Sequence, residues 1–309
     1  MLRVPPLPTY IPSMSTWNQP YPDWIRVAHD FDWATSHDLG IVHVGQSGTV
    51  LAAPQTSRRT LVAVTWGDRG LVPGGVEIPV CYALHLLGHI RLAAGAGKSV
   101  DLSEWQALPI DRRAVVDLRL PHIELDVAAV HQLQLLLHDH GAVLRFPDTA
   151  MDPSRQRTLA PALADAIITG DTATCEVLVE RLMGAGPGAT PAGDDVLVGV
   201  LAGARLATWN ELLDHGAQNA HQSVRSSVVR LLDRTTEASR HDLAAAIAGS
   251  FSQRFLLLVA ALGDPLAVRT AHRAAQTWGA TSGIDLLHGL VAMTARALDQ
   301  PPAQLRPTA

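Results

Sequence analysis

At Asp126 the spacing of apolar residues changes, and this change limits the possible folds more than any other feature of the chain. Before it, short β-branched or apolar runs (Ile41–Val44, Thr49–Ala53, Leu61–Trp66) are separated by clusters of Gly, Ser, Pro and Arg, the pattern of strands divided by turns. Gln46-Ser47-Gly48 reads as a hairpin turn between the first two. Val76 and Ile78 alternate with Glu77 as a further strand, and Ala114–Leu120 is another candidate. Residues 1–38 are rich in Pro, Trp and Asp and read as irregular, with one short helix near Trp24–Asp30. Residues 82–94 fit a short helix or an apolar loop equally well. After Asp126, a plausible N-cap, Val127, Val130, Leu133 and Leu137 recur at helical spacing until Gly141. Leu163 with Ile167, and Val177, Leu178, Leu182 and Met183, mark two more helices, and Val196–Thr208 a fourth, nearly all apolar and so expected to be buried on most sides. Leu212–Leu232, His241–Ala248, Phe255–Leu262, Leu266–Trp278 and Ile284–Leu298 follow as helices. The expected class is α+β: a β-rich, barrel- or sandwich-like domain over 1–125, then an α-helical domain over 126–309.

Length agrees with two domains, since 309 residues exceed what one hydrophobic core usually carries. A net charge of −5 gives no basic footprint for nucleic acid. No apolar run approaches the ~20 residues that span a bilayer, and the opening MLRVPPLPTYIPSM lacks the apolar stretch of a signal peptide. Two cysteines, Cys81 and Cys175, form no disulfide framework. The expectation is a soluble cytoplasmic protein.

One segment carries chemistry: Gly184-Ala185-Gly186-Pro187-Gly188-Ala189-Thr190-Pro191-Ala192-Gly193-Asp194-Asp195. It joins two apolar helices, where so many glycines destabilise regular structure. Gly184, Gly186, Gly188 and Gly193 permit backbone that points successive N–H groups into one concavity, a nest for an anion. Thr190 suits the N-cap of the next helix and Pro191 its first position, and the helix N-terminus adds partial positive charge. A phosphate or carboxylate cradle follows. Asp194 and Asp195 either serve the helix dipole alone, or point away from the ligand, or hold a cation that bridges to it, or keep one proton as an acid. The spacing is not that of a Rossmann fingerprint. Gly95-Ala96-Gly97-Lys98-Ser99 lacks the first glycine of a Walker A motif, Leu92 standing there, and reads as a surface loop.

The pattern G-x-G-x-G-x-T-P-x-G-D-D, followed by an apolar helix, resembles the hallmark of the oxamate carbamoyltransferase subunit family. Arg234-Thr235-Thr236-Glu237-Ala238-Ser239 resembles a Thr-Thr-x-x-Ser stretch opening a later family helix. Trp278-Gly279-Ala280-Thr281-Ser282-Gly283-Ile284-Asp285 is similar to the family's G-x-[ST]-S-G-x-D segment, with Ala280 where some relatives carry His. Val64–Val80 is similar to its N-terminal β region. The resemblance implies a carbamoyltransferase component acting on oxamate, oxalurate and carbamoyl phosphate in allantoin catabolism, the anaerobic end of purine degradation. It implies an anionic small-molecule substrate and further carbamoyltransferase subunits as partners, with neither nucleic acid nor membrane. It fixes no cofactor; the paired aspartates leave room for Mg2+, and the metal question stays open.

From the resemblance and the chemistry together, Asp194 and Asp195 are the candidate catalytic groups. Gly184, Gly186, Gly188, Thr190, Gly193, Thr235, Thr236, Ser239, Ser282, Gly283 and Asp285 are the candidate substrate- or phosphate-binding residues. Helix capping is the competing explanation for the Thr and Ser hydroxyls. Because each of the three segments opens a helix with hydroxyl donors, they are expected to converge on one pocket. Two other functions fit the same residues: a stand-alone enzyme of the family, a lyase or hydrolase of another small carboxylate or amide, or a non-catalytic metabolite-binding subunit. His138 and His140 flank Asp139 at a helix end, where His complements the dipole. His288, one turn after Asp285, is close enough in sequence to hydrogen-bond it and carry a proton, with a surface or core histidine as the favoured alternative.

Overall fold

The computed structural model describes residues 2–3, 25–32, 39–44, 48–52, 61–66, 70–80, 83, 100–102, 113–143 and 154–300. The chain divides into two compact units: residues 1–118 with Ser252–Arg254, and Arg119–Phe251 with 255–309.

In the first unit, strands β1 (Leu2–Arg3) and β7 (Val100–Asp101) pair in parallel. The other six form one mixed sheet in the order β3-β4-β5-β6-β2-β8: β2 (Ile25–Ala28), β3 (Gly40–Val44), β4 (Gly48–Ala52), β5 (Leu61–Trp66), β6 (Gly75–Ile78) and β8 (Arg113–Val116). β3 and β4 are antiparallel with Val44 opposite Thr49; the intervening Gln46 and Ser47 lie outside the described residues, as do the Gly95–Ser99 loop and most of 82–94. The short helix expected near Trp24–Asp30 is instead strand β2. Ile25 and Val27 are β-branched and buried, and β2 is paired on one side with β6 and on the other with β8, so sheet contacts set its conformation. Arg26 stands opposite Glu77, and their side chains meet at 2.8 Å. β8 stops at Val116, short of the expected Leu120.

The second unit is helical among its described residues: α1 (Val127–Val143), α2 (Ser154–Thr169), α3 (Thr172–Leu182), α4 (Ala192–Trp209), α5 (His215–Leu231), α6 (Glu237–Ala248), α7 (Gln253–Ala260), α8 (Val268–Gln276) and α9 (Ser282–Leu298). The chain is therefore α+β. Side-chain oxygens cap several helix starts, that of Asp126 as expected. Asp126 accepts from Ala129 N at 2.7 Å, Asp171 from Thr174 N at 3.0 Å and Asp214 from Ala217 N at 2.9 Å. α1 runs through Gly141 to Val143, since one interior glycine costs a helix only about 1 kcal/mol.

The core is centred on α4, buried from Ala192 to Ala204. Its main partner is α9. Gly199 lies against the backbone of Leu286 and Leu290, and Gly289 against that of Val196 and Val200; a methyl group at either position would collide with backbone. Gly203, further along α4, faces Leu290 and Met293. Position numbers rise together on the two helices, so α4 and α9 run parallel. The ion pairs Arg157–Asp285 and Arg296–Asp165 show the same sense for α2 against α9. Among the described residues no helix is long and apolar enough to cross a membrane.

Candidate functional site at convergent helix N-termini

The glycine segment leaves α3 as a turn that folds back on the start of α4. Gly184, Gly186 and Gly188 have φ of 70°, 119° and 99°, a region that L side chains rarely adopt. Ala185 N donates to Leu182 O at 2.9 Å, and Gly193 N donates to Ala185 O at 2.8 Å, closing the turn. A methyl on Gly186 would stand 2.9 Å from Ala192 N. Gly186 to Ala189 are exposed, and the amides of Gly186 and Gly188 donate to no described residue.

The helix start differs by one residue from the sequence expectation. Pro191, not Thr190, is the N-cap of α4; its ψ of 140° is extended and no side chain caps it. Thr190 is drawn off instead by Ser282, the first residue of α9, with the two hydroxyl oxygens 3.0 Å apart. Gly193 also departs from the expected nest, because its amide is taken by Ala185 and its missing side chain lets α4 lie against the Leu182 carbonyl. Gly283 likewise allows α9 to lie against the Ala275 carbonyl, with its amide on Trp278 O at 3.2 Å.

The α6 segment meets the same turn. Thr236 is the N-cap of α6: its hydroxyl oxygen accepts from Ser239 N at 3.1 Å while its proton goes to Ala189 O at 2.5 Å. Capping and tethering are thus done by one hydroxyl. Thr235 donates to Asp194 Oδ2, and Gly184 N donates to Asp194 Oδ1 at 2.7 Å. The three sequence segments therefore come together, with the N-termini of α4, α6 and α9 side by side. Parallel helices with their positive ends adjacent repel each other, so negative charge at that end is favoured.

Protein carboxylates supply part of that charge. Asp194, Asp195 and Asp285 lie in the first turns of α4 and α9 and are 1%, 7% and 0% exposed. Asp194 is pushed up by burial, against the opposing pull of Gly184 N, Thr235 and Ser239. Asp195 is pushed well above the usual carboxylate range, first by burial; Ser282 opposes, and Asp285, Asp242 and Asp194 add to the rise. Its Oδ2 is buried without a hydrogen-bond partner. Burial raises Asp285 too, and Arg157 opposes: Arg157 Nε donates to Asp285 Oδ1 at 2.5 Å, the arginine side chain being 11% exposed. Among the described residues no group of three or more His, Cys, Asp or Glu side chains is placed to hold a metal ion.

Asp194 and Asp195 thus differ in kind. The first is held at both oxygens and ties the glycine turn to the α6 segment. The second keeps a buried oxygen spare, and burial with like charge nearby favours its protonated form. Arg157 was not singled out by sequence reasoning. It stands 128 positions from Asp285 in a segment with no motif, and only the packing of α2 on α9 joins them.

No curated protein and no solved structure matches the chain. Residues 182–294, which hold the glycine turn, the starts of α4, α6 and α9 and all three carboxylates, match the family model of the oxamate carbamoyltransferase subunit AllH.

Proposed function

We propose that the convergent N-termini form the anion site of a carbamoyltransferase subunit, which exchanges a carbamoyl group between phosphate and oxamate. The observation that carries this reading is the meeting of three helix N-termini on a turn whose Gly186 and Gly188 amides are exposed and donate to no described residue. Those amides are suited to the phosphate of carbamoyl phosphate. Thr235, Thr236 and Ser282, joined to Asp194, Ala189 and Thr190, are the proposed contacts for the rest of the substrate, with the buried Ser239 behind them. A hydroxyl that has given its proton away still accepts, so the Thr235 and Thr236 oxygens can receive the N–H groups of an α-keto acid amide.

In the phosphorolytic direction a phosphate oxygen attacks the carbamoyl carbon of oxalurate. The C–O bond forms, the C–N bond breaks, and the departing oxamate nitrogen needs a proton. Asp195, whose protonated form burial favours, is the proposed donor, and in the reverse direction its carboxylate takes the proton back. Charge growing on the carbamoyl oxygen is met by the helix-end N–H groups. Asp194 acts through the turn that it fastens. The family model's description as a subunit supports further subunits as partners.

We read the two compact units as two domains, and propose a sandwich- or barrel-like covering of the first unit's sheet. β5 supports that covering, since it is buried at all six residues and so is covered on both faces.

The reading is tested by phosphorolysis of oxalurate, with and without partner subunits, in the wild type and in Asp195→Asn. The expected outcome is a loss of about 100-fold or more in turnover for the variant, with phosphate binding kept. Undiminished turnover would remove Asp195 from the chemistry. Phosphate binding with no turnover in any assembly would leave a metabolite-binding subunit, and turnover by the single chain a stand-alone enzyme.

A further inference from the structure

We infer that Arg157, outside the family-matched region, is the cation that receives the substrate's carboxylate at this site; the inference rests on the anion-site reading above. Arg157 belongs to α2, and its guanidinium reaches Asp285 in the first turn of α9, one turn on from the Ser282 that touches Thr190. A guanidinium carries five N–H donors. The Asp285 contact is a single bond from Nε, and Asp285 Oδ2 remains buried without a partner. The pair is therefore not the two-point fork that arginine and carboxylate form when they serve only each other. No described residue accepts from Nη1 or Nη2, although the side chain is only 11% exposed. That leaves an arginine edge, pre-positioned by Asp285 and largely out of water, of the shape that binds a planar carboxylate through two parallel hydrogen bonds.

The competing role is a strut between α2 and α9. Arg296 already ties α9 to α2 at Asp165 in a more exposed position. A buried ion pair is a poor stabiliser next to apolar packing of the same volume. A strut would gain nothing from unspent donors, whereas a ligand carboxylate would use them. The three neighbouring carboxylates make the need sharper. An α-keto acid amide carries its negative charge on the carboxylate, and Arg157 brings a full positive charge to the cluster at Asp285. Asp195 and the exposed amides then remain for the transferring group.

The test is calorimetric titration of oxamate, with inorganic phosphate in parallel, into the full chain as wild type, Arg157→Gln, Arg157→Lys and the double variant Arg157→Gln/Asp285→Asn. The double variant removes the carboxylate that the single one leaves orphaned. Expected is oxamate binding weakened about 100-fold by either glutamine variant and about 10-fold by lysine, which keeps the charge and loses the fork. Phosphate binding should stay within about threefold throughout. Oxamate binding as in the wild type, in a glutamine variant that still binds phosphate, overturns the inference. So does loss of phosphate binding in both glutamine variants, which marks Arg157 as structural. A wild type that binds phosphate but not oxamate overturns this inference alone, and one that binds neither overturns the anion site as well.

Discussion

Asp194 and Asp195 are adjacent in sequence and opposite in bonding. Asp194 spends both oxygens on Gly184 N and Thr235. Its replacement by Ala strands two part-buried donors, at about 1–3 kcal/mol for each one left unsatisfied, and should lower the melting temperature as well as the activity. Asp195 titrates in the other direction from a salt-bridged carboxylate. Burial raises its folded value above the unfolded one, so folding takes up a proton once the pH passes the ordinary value of about 3.9. The stability contributed is fully present below that pH and is lost as pH rises through the raised value. Asp195→Asn, neutral at every pH, should therefore gain in melting temperature relative to the wild type between pH 4 and pH 8; a difference that stays flat across that range would show that Asp195 ionises freely in the fold. From sequence alone the two residues were indistinguishable, because a DD pair says nothing of which side chain finds donors.

The elements were more legible than their ends. Apolar periodicity located α4 and α9, and glycines before α4, hydroxyl residues before α6 and both before α9 marked the places where they begin. The start of α4 slipped from Thr190 to Pro191 because Thr190 bonds to Ser282, a partner 92 positions away that no local pattern encodes. β2 departs from the expected helix for a similar reason: four residues flanked by Trp and Asp have weak periodicity, and two neighbouring strands decide their conformation. The glycines inside α4 and α9 are likewise explained only by packing. Gly199 and Gly289 bring the two backbones together, which holds the helix starts in step. Gly289→Ala places a methyl on the Val196 carbonyl, and overpacking of this kind costs about 1–3 kcal/mol. A reduced melting temperature with weakened anion binding is expected. An unchanged melting temperature would mean that α4 and α9 separate more readily than their packing implies.

For the whole molecule, every part of the proposed site lies in the helical unit, and all of it except Arg157 falls within the family-matched stretch. The convergence of three segments could be anticipated from their shared chemistry, as openings of helices rich in Gly, Ser and Thr. Arg157 could not, since an arginine in a motif-free helix acquires meaning only from its neighbour across the core. The most direct measurement is calorimetric titration of inorganic phosphate into the wild type and into Gly186→Val, with melting temperatures recorded for both. Gly186 has φ of 119° and no room at Ala192 N, so a branched side chain must deform the exposed turn while the helices behind it stay packed. The account predicts saturable phosphate binding to the wild type, weakened at least about 10-fold in a variant that still melts cooperatively. Equal binding by both proteins, or none by the wild type, would contradict it.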